Sequence, residues 1–87
     1  MIQVLIPSQL VSYTGGATKV AAAGATVDAV LDDLDRRFPG LRFRVVDEQD
    51  RVRKHMRVYV GQERVADLAA PVDEGQEVLI FGALSGG

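Results

Sequence analysis

The sequence predicts an α+β domain, a mixed four- to five-stranded sheet with one main helix on one face. Three observations lead there. The hydrophobic period runs strand, strand, helix, strand, short strand, strand along the 87 residues. Only the stretch beginning at Thr26 carries a sustained helical stripe, so one sheet face is covered and the other stays open. A last strand that joins the centre of the sheet parallel to the first needs a crossover, and the helical region supplies one. The expected domain spans 1–87, with 83–87 as a flexible C-terminal tail.

Taken in order, Ile2 to Ile6 is the first strand, with Ile2, Val4 and Ile6 on one face and Gln3 and Leu5 on the other. Pro7 and Ser8 end it. The polar stretch Ser12 to Gly16 is a turn, and Ala17 to Ala23 returns as a weaker strand, giving a hairpin. Gly15-Gly16 is a structural turn rather than a phosphate cradle, because no helix follows and Lys19 is out of frame for a G-x-x-x-x-G-K-[ST] loop. Thr26 is suited to cap the helix. Val27, Val30, Leu31, Leu34 and Phe38 form its apolar stripe, Asp28 and the Arg36-Arg37 pair suit its dipole, and Pro39-Gly40 stops it. Asp28, Asp32, Asp33 and Asp35 read as a solvated face, since helical spacing fans the carboxylates too far apart to hold a metal.

Leu41 to Lys54 is not assigned to one element: Leu41, Phe43, Val45 and Val46 mix strand-like alternation with a short helical turn, and Asp47 to Arg51 is a surface loop. Met56 to Val60 is a strand with Met56, Val58 and Val60 inward and Arg57 and Tyr59 outward. Gly61-Gln62, glycine first, suits a type II′ hairpin into a short strand over Glu63 to Val65. Leu68 to Val72 crosses over, and Asp73-Glu74-Gly75 turns into the last strand, Glu77 to Gly82. There Val78, Leu79, Ile80 and Phe81 are apolar without alternation, as expected of a strand buried on both faces or one whose second face awaits a partner. Leu5, Tyr59, Leu79 and Phe81, with Arg57, are the expected partner-docking face.

Composition narrows the function. An apolar share of 47% and a charged share of 25% are those of a globular chain, so disorder is not expected. The core of so short a chain is too thin for a large pocket, which favours a carrier or binding role over an enzyme. Ten basic and twelve acidic residues give a net charge of -2, and Asp47, Glu48 and Asp50 interrupt the one basic stretch, Arg42 to Arg57, so no nucleic-acid partner is expected. With no cysteine and one histidine, His55, thiolate chemistry and a histidine metal cluster are excluded. The first residues lack the basic start and long apolar stretch of a signal peptide, and nothing approaches a membrane span; the expected location is cytoplasmic, with no membrane partner.

The chain ends Leu84-Ser85-Gly86-Gly87. Glycines offer no acid, base, nucleophile or ligand. They offer thin backbone and an unhindered carboxylate that can enter a narrow channel in another protein.

Together these residues resemble a family. The strand Met1 to Pro7, the helix start Thr26 to Leu34, the hairpin Val58 to Glu63, the turn and strand Val72 to Phe81 and the terminal Gly86-Gly87 are similar to the ubiquitin-like (β-grasp) sulfur carriers. That family includes the molybdopterin synthase small subunit and the thiamin thiazole sulfur carrier. Thr14-Gly15-Gly16 and His55 to Val60 resemble the mycobacterial-type carrier of cysteine biosynthesis; the prolines common before the tail are missing from Phe81 to Leu84.

The resemblance implies a carrier with no catalytic residues and no stably bound cofactor. An E1-like adenylating and sulfurtransferase enzyme would use ATP and Mg to activate the Gly87 carboxylate, and sulfide or a persulfide donor would displace AMP to leave a thiocarboxylate. Gly86, Ser85 and Leu84 would thread the activating site, and a downstream sulfur-accepting synthase would take the sulfur. The acceptor chemistry is left open among cysteine, molybdopterin, thiazole and secondary-metabolite pathways. The alternatives are a ubiquitin-like modifier joined through Gly87 to lysines, and a plain interaction domain in which the glycines are idle.

Overall fold

In the computed structural model, which describes residues 1–82, the chain runs β1 (Ile2–Leu5), a 3-10 turn (Ser8–Leu10), β2 (Lys19–Ala22), α1 (Val27–Arg37), α2 (Leu41–Val45), β3 (Met56–Val60), β4 (Glu63–Val65) and β5 (Glu77–Gly82). The five strands form one sheet in the order β2-β1-β5-β3-β4, with β1 and β5 parallel at its centre and the other pairs antiparallel. This is the expected mixed sheet, with its last strand joining the centre.

Period-two alternation sorts the side chains. Ile2, Val4, Ala22, Met56, Val58, Val60, Val78 and Ile80 are buried on one face, beneath the α1 stripe. Val27, Val30, Leu31 and Leu34 of that stripe are all fully buried, each worth about 1.5–3 kcal/mol relative to exposure. Phe38 closes the helix half-buried, with the Arg37 guanidinium 5.5 Å from its ring centroid.

The start of α1 leaves no donor stranded. Thr26 caps it as expected, its hydroxyl accepting from Ala29 N at 3.1 Å. Val27 N and Asp28 N donate to Ala70 O and Leu68 O, at 3.0 and 2.9 Å, on the crossover before β5, while Val30 N reaches Thr26 O at 3.0 Å. The crossover is thereby tied to the helix it caps.

Three details depart from the sequence reading or sharpen it. Leu10 is buried by the 3-10 turn that fills the expected Pro7–Ser8 break, and β2 is shorter than its expected span. The ambiguous Leu41 stretch is helical, because Leu41 and Val45, one turn apart, both face the core, while the Asp35 carboxylate accepts from Gly40 N and Arg42 N at 3.1 Å each. The hairpin at Gly61-Gln62 has two loop residues, with φ +61 at Gly61 and no positive φ at Gln62, as a type II′ turn requires.

The acidic face of α1 is not merely solvated. Asp28 and Asp32, one turn apart, converge with Asp50 on the Arg42 guanidinium at 2.7, 3.0 and 3.2 Å. Burial disfavours the charge of Arg42, but the hydrogen bonds it donates to Asp28 and Asp50 and the charge of Asp32 outweigh it and hold its pKa above the ordinary value. Asp50 reaches this position with φ +59, an unusual backbone for an aspartate. Among the described residues no group of three or more His, Asp or Glu is placed to hold a metal ion.

Asp33 accepts from Ala23 N and pairs with Arg36 and Arg37; these bonds, led by that from Ala23, hold its pKa below the ordinary value. Asp47 is held low in the same direction, first by the Arg51 amide that it accepts from. Carboxylates with depressed folded pKa values stabilise the fold above their unfolded pKa, and the contribution is lost as pH falls through the folded value. The urea midpoint should therefore be flat above about pH 5 and fall below about pH 4, and Asp33→Asn should make the acid loss shallower. A midpoint in Asp33→Asn that falls as steeply as in the parent would contradict this assignment.

Gly24 passes so close to the first turn of α1 that a Cβ would stand 2.7 Å from Val30 N and 2.9 Å from the Ala29 carbonyl carbon. Main chain cannot yield as a side chain can. Gly24→Ala should cost about 1–3 kcal/mol in urea unfolding, whereas Gly75→Ala, with open space around the position, should carry only the strain of its φ of +91.

Candidate functional site

Among the described residues only one face of the sheet carries a helix layer; on the other, the cross-strand register aligns Lys19, Leu5, Leu79, Tyr59 and Arg64 in one row over five strands. Leu5, Leu79 and Tyr59 are half-buried, while Lys19 and Arg64 at the two edges are exposed. One step along, Phe81 pairs with Arg57 and stands 48% exposed. Its ring meets that of Tyr59 edge to face, with centroids 5.6 Å apart and planes at 82°. The two aromatics thus hold each other upright on an unlayered sheet.

β5 explains this patch. Val78 and Ile80 point into the core, while Leu79 and Phe81 point out. Of the two readings of its unbroken apolar run, the strand is the one whose second face is uncovered. Leu5, Tyr59, Leu79 and Phe81 are brought together as expected. Arg57 shares the face by register, but its guanidinium donates to Lys54 O at 2.7 Å and Met56 O at 2.9 Å, which turns its charge toward the turn before β3.

Residues 83–87, and with them the expected site residues Leu84, Ser85, Gly86 and Gly87, lie outside the described residues. The last described residue, Gly82, pairs with Met56. A Cβ there would collide with the side-chain amide of Gln9 on the 3-10 turn. Sequence reasoning missed Gln9, because Ser8 to Leu10 carries neither a periodicity nor a turn signature that would place it over the end of β5.

The exposed position of Phe81 separates docking from folding. Phe81→Asp should change unfolding stability by less than about 1 kcal/mol. Val78→Asp, a buried charge three residues earlier on the opposite face, should abolish cooperative unfolding by circular dichroism.

Comparison with known proteins agrees with this architecture over the full length. The ThiS family model matches residues 4–87. The sulfur carrier protein CysO of Mycobacterium tuberculosis is 33% identical over 91 residues, covering 99% of this chain and 98% of that one. A crystal structure of an Amycolatopsis orientalis BexX/CysO complex contains a chain 37% identical, with a TM-score of 0.92 and complete coverage of both chains. The crystal structure of M. tuberculosis CysO superimposes with a TM-score of 0.91 at 31% identity, over 97% of this chain and 100% of that one. SAMP1 from Haloferax volcanii is more distant, at 28% identity and a TM-score of 0.77 over 99% of this chain and 98% of that one.

A five-stranded mixed sheet gripping one main helix is the β-grasp fold, and the chain belongs to the ThiS family of ubiquitin-like proteins. Within that family it is a CysO-like sulfur-carrier domain.

Proposed function

We propose that this protein carries sulfur as a thiocarboxylate on Gly87, charged by an E1-like enzyme and discharged by a sulfur-accepting synthase. What most supports the reading is full-length similarity to CysO sulfur carriers reaching through Gly87, together with an apolar face that leads into the final residues. The chain without cysteine suits such a role, since the sulfur would ride on a backbone carbonyl carbon.

In this mechanism the Gly87 carboxylate attacks the α-phosphorus of MgATP in the activating enzyme, giving an acyl-adenylate and releasing pyrophosphate. Sulfide then attacks the acyl carbon, a C–S bond forms, and AMP leaves with the C–O bond electrons. A free carboxylate is a poor electrophile, so adenylation precedes sulfur. The domain contributes no acid, base or nucleophile. Its part is to dock through Phe81, Leu79, Tyr59 and Leu5 and to present a tail whose last two residues have no Cβ to clash with a channel wall. ATP and Mg belong to the partner. The acceptor is proposed to serve cysteine, molybdopterin or secondary-metabolite synthesis, with cysteine favoured by the CysO relatives.

A second reading has an observation of its own: similarity to small archaeal modifier proteins at 25–28% identity. On that reading Gly87 is joined to lysines of other proteins.

Intact mass after incubation with an activating enzyme, MgATP and sulfide should show a gain of about 16 Da, sulfur replacing oxygen at the terminal carboxylate. Higher-mass adducts on target proteins would favour the modifier. Deleting Gly86 and Gly87 should abolish the gain without altering the unfolding midpoint, and Phe81→Asp should weaken association with the activating enzyme at least about tenfold by calorimetry. Unchanged binding of Phe81→Asp would remove the docking face from the mechanism.

A further inference from the structure

A second surface lies at the opposite side of the sheet edge, where β4 stops. The last β4 pair joins Val58 to Val65, so Met56 and Arg57 of β3 have no strand neighbour on that side. The gap is a cleft of about 520 Å³ between the 51–54 segment and the end of β4. Its floor is apolar, from Val58 and Val65. Its walls carry Arg51, Arg53, Lys54, Arg57 and Arg64, and no acidic residue lines it. Half of the ten basic residues of a chain with net charge -2 are gathered at this one place.

Of three neighbouring acids, two are engaged elsewhere and the third reaches a cleft cation. Asp50 bonds Arg42 at 3.2 Å, and Asp67 accepts from Ala69 N at 2.9 Å. Asp47 stands 4.0 Å from Arg51. Among the described residues Arg53, Lys54, Arg57 and Arg64 form no salt bridge. Against Arg53 of the cleft wall stands Phe43, 53% exposed, with the Arg53 guanidinium 4.5 Å from its ring centroid. Exposed aromatic and arginine side chains together are the composition of protein interfaces.

We infer that this cleft binds a short, extended acidic segment of a partner protein, whose Asp and Glu side chains meet the five cations while its backbone runs beside the unpaired edge of β3. A nucleic acid fits less well. A polyanion longer than the cleft would run against the rest of a net acidic surface, and one face of Phe43 is already taken by Arg53. The inference uses none of the chemistry proposed for Gly87 and none of Leu5, Leu79 or Phe81.

The test is a two-dimensional amide NMR titration of the full chain with a capped octaglutamate peptide at low salt. Shifts are expected at 51–57 and 64–66, with affinity falling at least about fivefold between 50 and 300 mM NaCl. The Arg53→Glu/Arg64→Glu double variant should weaken binding at least about tenfold, and the charge-matched Arg36→Glu/Arg44→Glu variant by less than about twofold. Should the first variant lose its folded spectrum, Lys54→Glu/Arg64→Glu, at two exposed positions, must show the same loss of binding. The proposal is overturned by an absence of shifts at millimolar peptide, by shifts elsewhere, or by equal weakening in the control variant. Tighter binding of an octauridylate in the cleft, or displacement of the peptide by an equal concentration of inorganic phosphate, overturns it as well.

Discussion

A single layer of helix on a five-stranded sheet is the constraint from which the rest follows. One helix of eleven residues covers most of one face with its fully buried stripe of Val27, Val30, Leu31 and Leu34, and Leu41 and Val45 of α2 complete the layer. Among the described residues nothing is layered on the other face. The central strand β5, flanked by β1 and β3, shows this most clearly. Its inward residues Val78 and Ile80 hold the core, and its outward Leu79 and Phe81 are surface by default. An apolar residue in that position costs little stability, and under the proposed function it would supply the contact for a partner, dividing folding and docking between alternate residues of one strand.

The same economy appears at the ends of the helices. The first turn of α1 is capped by Thr26 and by carbonyls of the crossover that leads to β5. Asp35 near its end caps α2, and Arg42 at the start of α2 returns to Asp28 and Asp32 on α1. These polar links fix the helical layer against segments distant in sequence.

Local pattern made most of the architecture legible. Alternation in Ile2 to Ile6 and Met56 to Val60, the capped stripe from Thr26 and the glycine-first hairpin at Gly61 are each decided within a few residues, and each is found where its pattern points. What escaped is decided by distance. Nothing local says that Leu41 and Val45 will meet the core as a helical turn, or that Gln9 will lie over Gly82. Charge was the most deceptive. In sequence, Asp47, Glu48 and Asp50 dilute the basic stretch up to Arg57, but in space Asp50 turns to Arg42 and leaves Arg53, Lys54, Arg57 and Arg64 around a cleft. Likewise the carboxylates of α1 fan outward on a helical projection, yet two of them converge, because the long side chain they share belongs to another helix.

Geometry also limits how the proposed chemistry could be delivered. Five residues follow Gly82, and five extended residues span at most about 17 Å. Phe81, immediately before them, belongs to the apolar patch. A partner seated on Phe81 and Leu79 therefore receives the final residues within that radius of its own contact surface. On the proposed mechanism, docking and delivery would become one binding event, with the Gly87 carboxylate held at high effective concentration instead of diffusing freely. Affinity would come from the aromatic pair, reactivity from the partner, and from the tail itself only the absence of side chains at Gly86 and Gly87.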